Sequence, residues 1–442
     1  MNRTTASIII TLTILVTTIS SQAQLNTRHT KGLSAMAQVW GLLKYKHPIL
    51  SSGKINWDSV LLASTQRLLI SNTKTDLQVE IQKLLNAAGP LGLSTPKDTN
   101  LRQATSDKTL QLRNLDHSWI SKTNLLTKAQ RTQLELLANY SYKGINYYAQ
   151  PNPGNDSTVY TPNEEPYLQE NMPQAPYRLL ALFRFWNLIN YYYPYKYAIG
   201  RPWKNILYEL IPEMVAATDT ISYHKALAKM AASINDSHGG LWPQVFSSFT
   251  GSYSPGFDFR IIQNKVVVTR PADNSYLQRG SVIEKIDGVT IKKKIRTYFD
   301  YIPASNHNGK LKNMHYILLN RPNRSAIISG HHKDGTRFKL KINLIKRDLL
   351  KDYDNFFEMR SNVTSRMLAD SIGYVFFSNV NARNLDSVMV PMMNTRAIIF
   401  DMRNYPANGS GTYHIPQYLL TQPKVYSNAH TSRLFPSRCL YL

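Results

Sequence analysis

The sequence predicts a multidomain α+β protein, with a helical N-terminal region built on an internal repeat, then a β-rich module, then the opening of an α/β layer. Three observations predict it. Trp40, Tyr45, Pro48, Trp57 and Leu61 recur as Trp186, Tyr191, Pro194, Trp203 and Leu207, all at one offset of 146 residues. After Gly251 the apolar residues change from helical to strand spacing. Residues 372–400 then read as strand, helix, strand, a βαβ unit that begins an α/β layer.

A chain of 442 residues, 43% apolar and 18% charged, is globular and long enough for several domains with real cores. Its formal charge of +24 suits an anionic surface or partner. The cations are scattered, however, and the densest run is only Lys292–Arg296, so no nucleic-acid partner is expected. At the N-terminus Arg3 precedes the apolar run Ile8–Val16, and Ser21 and Ala23 are small. Residues 1–23 therefore read as a signal peptide cleaved after Ala23, too short for a stable membrane span. The expected location is exported, periplasmic or extracellular. Cys439 is the one cysteine, which leaves no internal disulfide and no cysteine metal site.

The first helical region covers residues 24–170 and the second 171–250. In each copy an apolar helix ends at an aromatic residue and a proline, and a second helix opens near the second tryptophan. Leu179, Leu182, Phe183, Trp186 and Ile189 keep helical spacing in the second copy. A third helix follows in each, carrying Leu77, Ile81, Leu84 and Leu85, or Tyr223, Ala226, Leu227, Met230 and Ile234. Residues 130–138 look helical, and 147–156 read as a linker by composition. The copies differ where they end. The first closes on Ala88-Gly-Pro-Leu91, the second on Ile234-Asn-Asp-Ser-His238. The imidazole of His238 is chemically able to act as a general base. Taken alone, the same stretch also suits a helix C-terminal cap.

Residues 251–350 form the β-rich module. Lys265–Thr269 is a strand, Gly280–Ile291 reads as strand, Asp-Gly turn, strand, and Phe338–Leu344 alternates as a half-buried strand should. His331-His332 lies in a Lys-Asp-Gly hairpin and lacks the i, i+4 spacing of helical metal ligands, so no metal is expected. Residues 351–442 begin the α/β layer. Ala397-Ile-Ile-Phe400 has no polar residue, which predicts a strand buried on both faces.

"GSVIEKIDG" (280–288) resembles the second half of a PDZ domain. "IGYVFFSNV" (372–380) and "AIIFDMRNYPANGSG" (397–411) resemble two successive strands of the tail-specific, or C-terminal-processing, serine peptidases, and the order of modules is similar to their tricorn-core-like branch. The resemblance implies a serine-type endopeptidase that hydrolyses peptide bonds by acyl transfer, without a cofactor. It gives His238 the role of general base, with the Ser237 hydroxyl helping to orient the ring. It makes Gly409, then Gly411, the candidate oxyanion donors, in a loop structured by Asp401 and Arg403. It makes the PDZ-like module a site for a peptide or protein substrate, a C-terminal tail among them, held by strand addition.

The family's serine lies well downstream of the Asp-x-Arg loop. Here Ser427, Ser432 and Ser437 are present, and none has a nucleophile-like context. The chain is therefore expected to be C-terminally truncated relative to that family and inactive as it stands. The alternative is a non-catalytic exported peptide-binding protein that uses the PDZ-like module.

Overall fold

The computed structural model describes residues 25–71, 73–91, 115–140, 145–153, 155–167, 172–241, 243–272, 276–350, 362–368, 371–404 and 414–422. The signal segment, Gly409, Gly411 and the three C-terminal serines lie outside them.

Helix α1 (Thr27–Lys46) starts at Asn26, whose side chain accepts the His29 amide, and its core face is fully buried. α2 (Trp57–Ile70) and α3 (Lys74–Ala88) follow, the latter opened by a capping box between Thr73 and Asp76. α4 (Lys128–Ala138) begins with the same device, Thr127 with Gln130. After a two-stranded ladder of β1 (Gln150–Asn152) and β2 (Asn155–Tyr160) come α5 (Ala175–Tyr192), α6 (Lys204–Ala216), α7 (Thr220–Ala232) and α8 (Pro243–Thr250).

Two tryptophan pairs join these helices in the same way. The Trp40 indole donates to the Trp57 carbonyl at 3.0 Å, and the Trp57 indole donates back to Trp40 at 3.1 Å. Trp186 and Trp203 exchange the same two bonds, both at 3.0 Å. Each indole thereby buries its large apolar area without leaving its one donor unpaired. α1 and α5 cross where a glycine permits it. A Cβ on Gly41 would stand 1.9 Å from Asn187 Oδ1, and the Asn187 amide donates to the carbonyls of Ala37 and Phe183, both at 2.9 Å. Asn187 is fully buried and has no room to retreat. Gly41→Ala is expected to cost at least about 1–3 kcal/mol in urea unfolding. A cost near zero would mean that the crossing is looser than this packing requires.

The residues expected as a linker are packed. Gln150–Asn152 and Asn155–Tyr160 pair as an antiparallel ladder, Tyr148 and Ala149 are buried, and the Tyr148 hydroxyl donates to the Ile55 carbonyl at 2.9 Å. Glu164, just beyond, reaches the buried ammonium of Lys44 at 2.6 Å. Proline, asparagine and glycine suit a turn, but the buried Tyr148 supplies apolar area that fastens the segment down.

The β-rich module is one antiparallel sheet. Its strands are β3 (Tyr253–Pro255), β4 (Asp258–Ile262), β5 (Lys265–Arg270), β6 (Val282–Ile286) and β7 (Val289–Thr290), then helices α9 (Ile291–Tyr298) and α10 (His307–Met314), then β8 (Ser325–His331) and β9 (Arg337–Lys346). The order is β3-β9-β8-β6-β5-β4, with β7 paired to β6. Asp287 and Gly288 have φ of 48° and 76°, the two positive values that a tight hairpin turn demands. Asp287 also accepts the Ile327 amide at 2.8 Å, which fixes the turn against β8.

The last described layer holds β10 (Ser365–Leu368), β11 (Ile372–Phe376), α11 (Leu385–Met389) and β12 (Ala397–Asp401), with β11 and β12 parallel as the βαβ pattern predicts. The expectation that β12 is buried on both faces fails. Ile398 and Phe400 pack on the core beneath, whereas Ile399 is 47% exposed. Among the described residues β12 is the edge of a three-stranded sheet, and α11 covers only one of its faces.

Candidate active site

Asp219 and Ser222 cap the start of α7, and the helix ends at Ala232. The chain then turns through Asn235, at φ 54°, whose amide donates to the Ile199 carbonyl at 2.9 Å. This turn presents Asp236, Ser237 and His238 in sequence. Asp236 Oδ1 accepts the backbone N–H of His238 at 2.9 Å and lies 3.3 Å from its Nδ1. Asp236 Oδ2 accepts the Tyr193 hydroxyl at 3.3 Å. The Tyr193 hydroxyl is pushed up to about 12, first by burial and then by the neighbouring carboxylate. The His238 side chain is 92% exposed. With the ring proton on Nδ1 and directed at Asp236, Nε2 faces solvent as an acceptor, the arrangement a general base requires.

Ser237 is engaged elsewhere. Its hydroxyl accepts the Ser305 N–H at 3.2 Å and lies 3.2 Å from the Ser305 hydroxyl, which in turn accepts the Ser237 N–H at 3.4 Å. The base-bearing turn is thereby tied to the β-rich module just before α10. Gly239 sits in that junction, since a Cβ there would stand 3.4 Å from Pro303 Cβ. Gly240 has open space around it.

Asp236 was given no role from sequence. The signal available was its position two residues before His238, where a short carboxylate characteristically bonds the backbone N–H of residue i+2. Ser305 carried no such signal, because it is 68 residues away.

At the carboxyl end of β12, Asp401 is 6% exposed. It accepts the Arg403 Nε at 2.8 Å, the Arg403 backbone N–H at 3.1 Å and the Tyr374 hydroxyl at 2.6 Å. The Arg403 guanidinium holds its carboxyl well below the usual range, against burial and with help from Tyr374. The pair fastens Arg403 to the carboxyl end of β12. None of Asp236, Ser237 or His238 bonds to Asp401 or Arg403. The two groups belong to separate parts of the fold.

A third feature lies on the β-rich module. β4 ends the sheet, and a cleft of about 350 Å³ runs between it and α10. Arg260 and Ile261 line one side, and His307, Leu311, Lys312 and His315 line the other. His315 stacks on Phe259 with ring centres 4.4 Å apart and donates from Nδ1 to the Phe259 carbonyl at 2.9 Å.

Among the described residues, no group of three or more His, Cys, Asp or Glu could hold a metal ion. His331 faces Glu284 at 3.3 Å, and His332 bonds the buried Ser281 hydroxyl at 2.8 Å. No described helix is long and apolar enough to cross a membrane.

Among solved structures the chain is similar to mature CPAF, with a TM-score of 0.36 and 12% identity over 51% of this chain and 55% of that one. Mature CPAF complexed with lactacystin matches at a TM-score of 0.36 and 14% identity, over the same shares. A serine-to-alanine mutant of CPAF matches at 0.38 and 11%, over 51% and 56%. The chain spans about half the length of these structures. No protein-family model and no curated protein matches it.

Proposed function

We propose that this chain carries the general base and the peptide-binding module of a serine-type endopeptidase of the tail-specific class. The observation that carries the reading is the Asp236–His238 pair, a carboxylate 3.3 Å from one ring nitrogen with the other nitrogen open to solvent. In acyl transfer His238 Nε2 takes the proton of a serine hydroxyl as its oxygen attacks the peptide carbonyl, then gives that proton to the leaving amine. Asp236 holds the ring and stabilises the imidazolium. Ser237 acts through Ser305, as the tie between the base and the β-rich module. Gly409 and Gly411 are the proposed oxyanion donors, on a loop held by Asp401 and Arg403.

Among the described residues no serine hydroxyl bonds to the His238 ring, and the 442-residue chain is proposed to lack turnover by itself. The N-terminal apolar run supports export to the periplasm or outside the cell. Contacts between like positions support the reading of the helical region as a duplicated unit. Gly41 meets Asn187, and Tyr45 packs on Tyr191, each at the repeat offset.

The β4–α10 cleft favours a second reading, a non-catalytic peptide-binding protein on the same scaffold. In a PDZ-like module an edge strand beside a helix accepts an extended peptide by strand addition. One set of measurements separates the two. The chain as it stands should bind an extended peptide saturably, cleave none, and resist labelling by a fluorophosphonate. Cleavage abolished by His238→Ala would place a nucleophile within these 442 residues. Should the coding sequence continue in frame past codon 442 and the longer chain cleave peptide, His238→Ala should slow it by about 10²–10⁴-fold. Full activity of that variant would remove His238 from the mechanism. A gene with no such continuation would favour the binding reading.

A further inference from the structure

We propose that Tyr193 is a positioning residue for His238: by donating to Asp236 it fixes the carboxylate that holds the ring proton on Nδ1. The proposal rests on the reading of His238 as general base and adds what keeps that base in its working tautomer.

A neutral imidazole carries one proton, and the hydrogen bonds the ring makes decide which nitrogen holds it. The His238 side chain is 92% exposed, so water competes at both nitrogens, and a fixed acceptor is needed to favour one tautomer. Asp236 is that acceptor, and both its oxygens are engaged. Oδ1 takes the His238 backbone N–H at 2.9 Å and stands 3.3 Å from Nδ1, while Oδ2 takes the Tyr193 hydroxyl at 3.3 Å. Bonds on both oxygens oppose rotation of the carboxylate, so Oδ1 stays toward the ring. Burial and the carboxylate push the Tyr193 hydroxyl up to about 12, so it remains a donor throughout the neutral range.

Comparison of the two repeat copies separates this contact from the packing around it. Tyr193 closes α5 as His47 closes α1, at the offset of 146 residues. Each is extended, each precedes a proline, and their N–H groups donate to the carbonyls of Ile189 and Leu43, themselves at that offset. α3 and α7 begin at Lys74 and Thr220, again at that offset, and the chain leaves them through Gly89 and Asn235, with φ of 79° and 54°. The two corners thus share a backbone course but not side chains. In the first copy His47 faces the Gly89 backbone, and Pro90 stands where Asp236 stands in the second. The corner therefore forms without a hydroxyl–carboxylate bond. The copy that carries His238 is the one that has it.

The test uses the full chain with isotope-labelled histidine at about pH 8.5, above the ordinary imidazole range. Long-range proton–nitrogen correlation spectra read the tautomer of each ring, and His238→Ala assigns the signal. In the unaltered chain His238 should be protonated mainly on Nδ1. Tyr193→Phe keeps the ring and its packing and removes the hydroxyl. It should lower the ratio of the Nδ1–H to the Nε2–H form by about three- to tenfold, the worth of one hydrogen bond. Asp236→Ala should lower it at least as far. A change of packing alone would leave that ratio where it was. A ratio unchanged by Tyr193→Phe but lowered by Asp236→Ala overturns the role of Tyr193 and leaves Asp236 as the holder of the ring. A ratio unchanged by either variant, or an unaltered chain protonated mainly on Nε2, overturns the proposal and the role of Asp236 with it. None of these outcomes depends on turnover. The reading of His238 as base fails separately, if a longer chain that cleaves peptide keeps full activity with His238→Ala.

Discussion

Replacing Glu164 by glutamine is expected to lower the stability of the helical region by about 3–5 kcal/mol in urea unfolding. Glu164 belongs to a four-charge group that is almost wholly out of water. Its Oε1 lies 2.6 Å from the Lys44 ammonium, which is fully buried, and its Oε2 lies 2.9 Å from Arg184 Nε. Asp58 completes the group, 3.7 Å from Lys44 and bonded directly to Arg184. Two cations and two carboxylates therefore balance. The Trp40 and Tyr148 rings add faces to the ammonium at 4.6 and 4.2 Å. Burial pulls Lys44 below its ordinary range, while Glu164 and Asp58 work against that. Removing one carboxylate leaves an uncompensated cation where water cannot reach it, and that penalty exceeds the value of the pair itself. Lys44→Met in the same background should be non-additive with it, because the second change removes the orphaned charge. A loss below about 1 kcal/mol for Glu164→Gln would place the group in the class of exposed ion pairs and refute its burial.

That network also shows where single-sequence reading stops. Lys44 and Glu164 are 120 residues apart, and no local pattern links them. The tryptophan pairs were legible because both partners are rare residues at one offset. β5 was legible from its run of β-branched valines, and β9 because its alternation is intrinsic to a sheet with one wet face. β12 misled because four apolar residues in a row mean burial on both faces only inside a covered sheet, and among the described residues the strand lies at an edge. The segment at 147–156 misled because its turn-forming residues are genuine, while its anchorage depends on Tyr148 docking on the distant Lys44 and Ile55. At the candidate site, residue type and place after a helix left His238 open between a base and a helix cap, and the resemblance gave it the role of base. Asp236 acquires meaning only once the turn at Asn235 folds its carboxylate back to the ring. Ser305 acquires it only once the β-rich module docks.

Lowering the pH from about 6.5 to 5 is expected to destabilise both large parts of the fold while most carboxylates stay ionised. Burial lowers His315 to about 3 in the β-rich module. In the helical region burial, with Lys46 and Lys196 nearby, lowers His117 to about 4. In the unfolded chain both titrate near 6.5. Folded-state values below the unfolded ones mean that the unfolded chain binds protons the folded chain refuses. Stability is therefore intact above about pH 6.5. It falls by about 1.4 kcal/mol per pH unit per histidine on the way down, until the folded value is reached. For His315 the accumulated loss approaches about 4–5 kcal/mol near pH 3. Asp401 behaves oppositely, keeping its contribution above its unfolded value and losing it as the pH falls below about 4, so the slope between 6.5 and 5 is set chiefly by the imidazoles. All six tryptophans precede Pro243, so fluorescence follows the helical region and far-ultraviolet dichroism at the strand band follows the sheet. His315→Gln should flatten the pH slope of the dichroism transition and leave the fluorescence slope unchanged. The comparison of slopes holds even where the variant is less stable at every pH. An unchanged dichroism slope would mean that His315 takes up its proton in the folded module, and that the Phe259 stack admits the imidazolium.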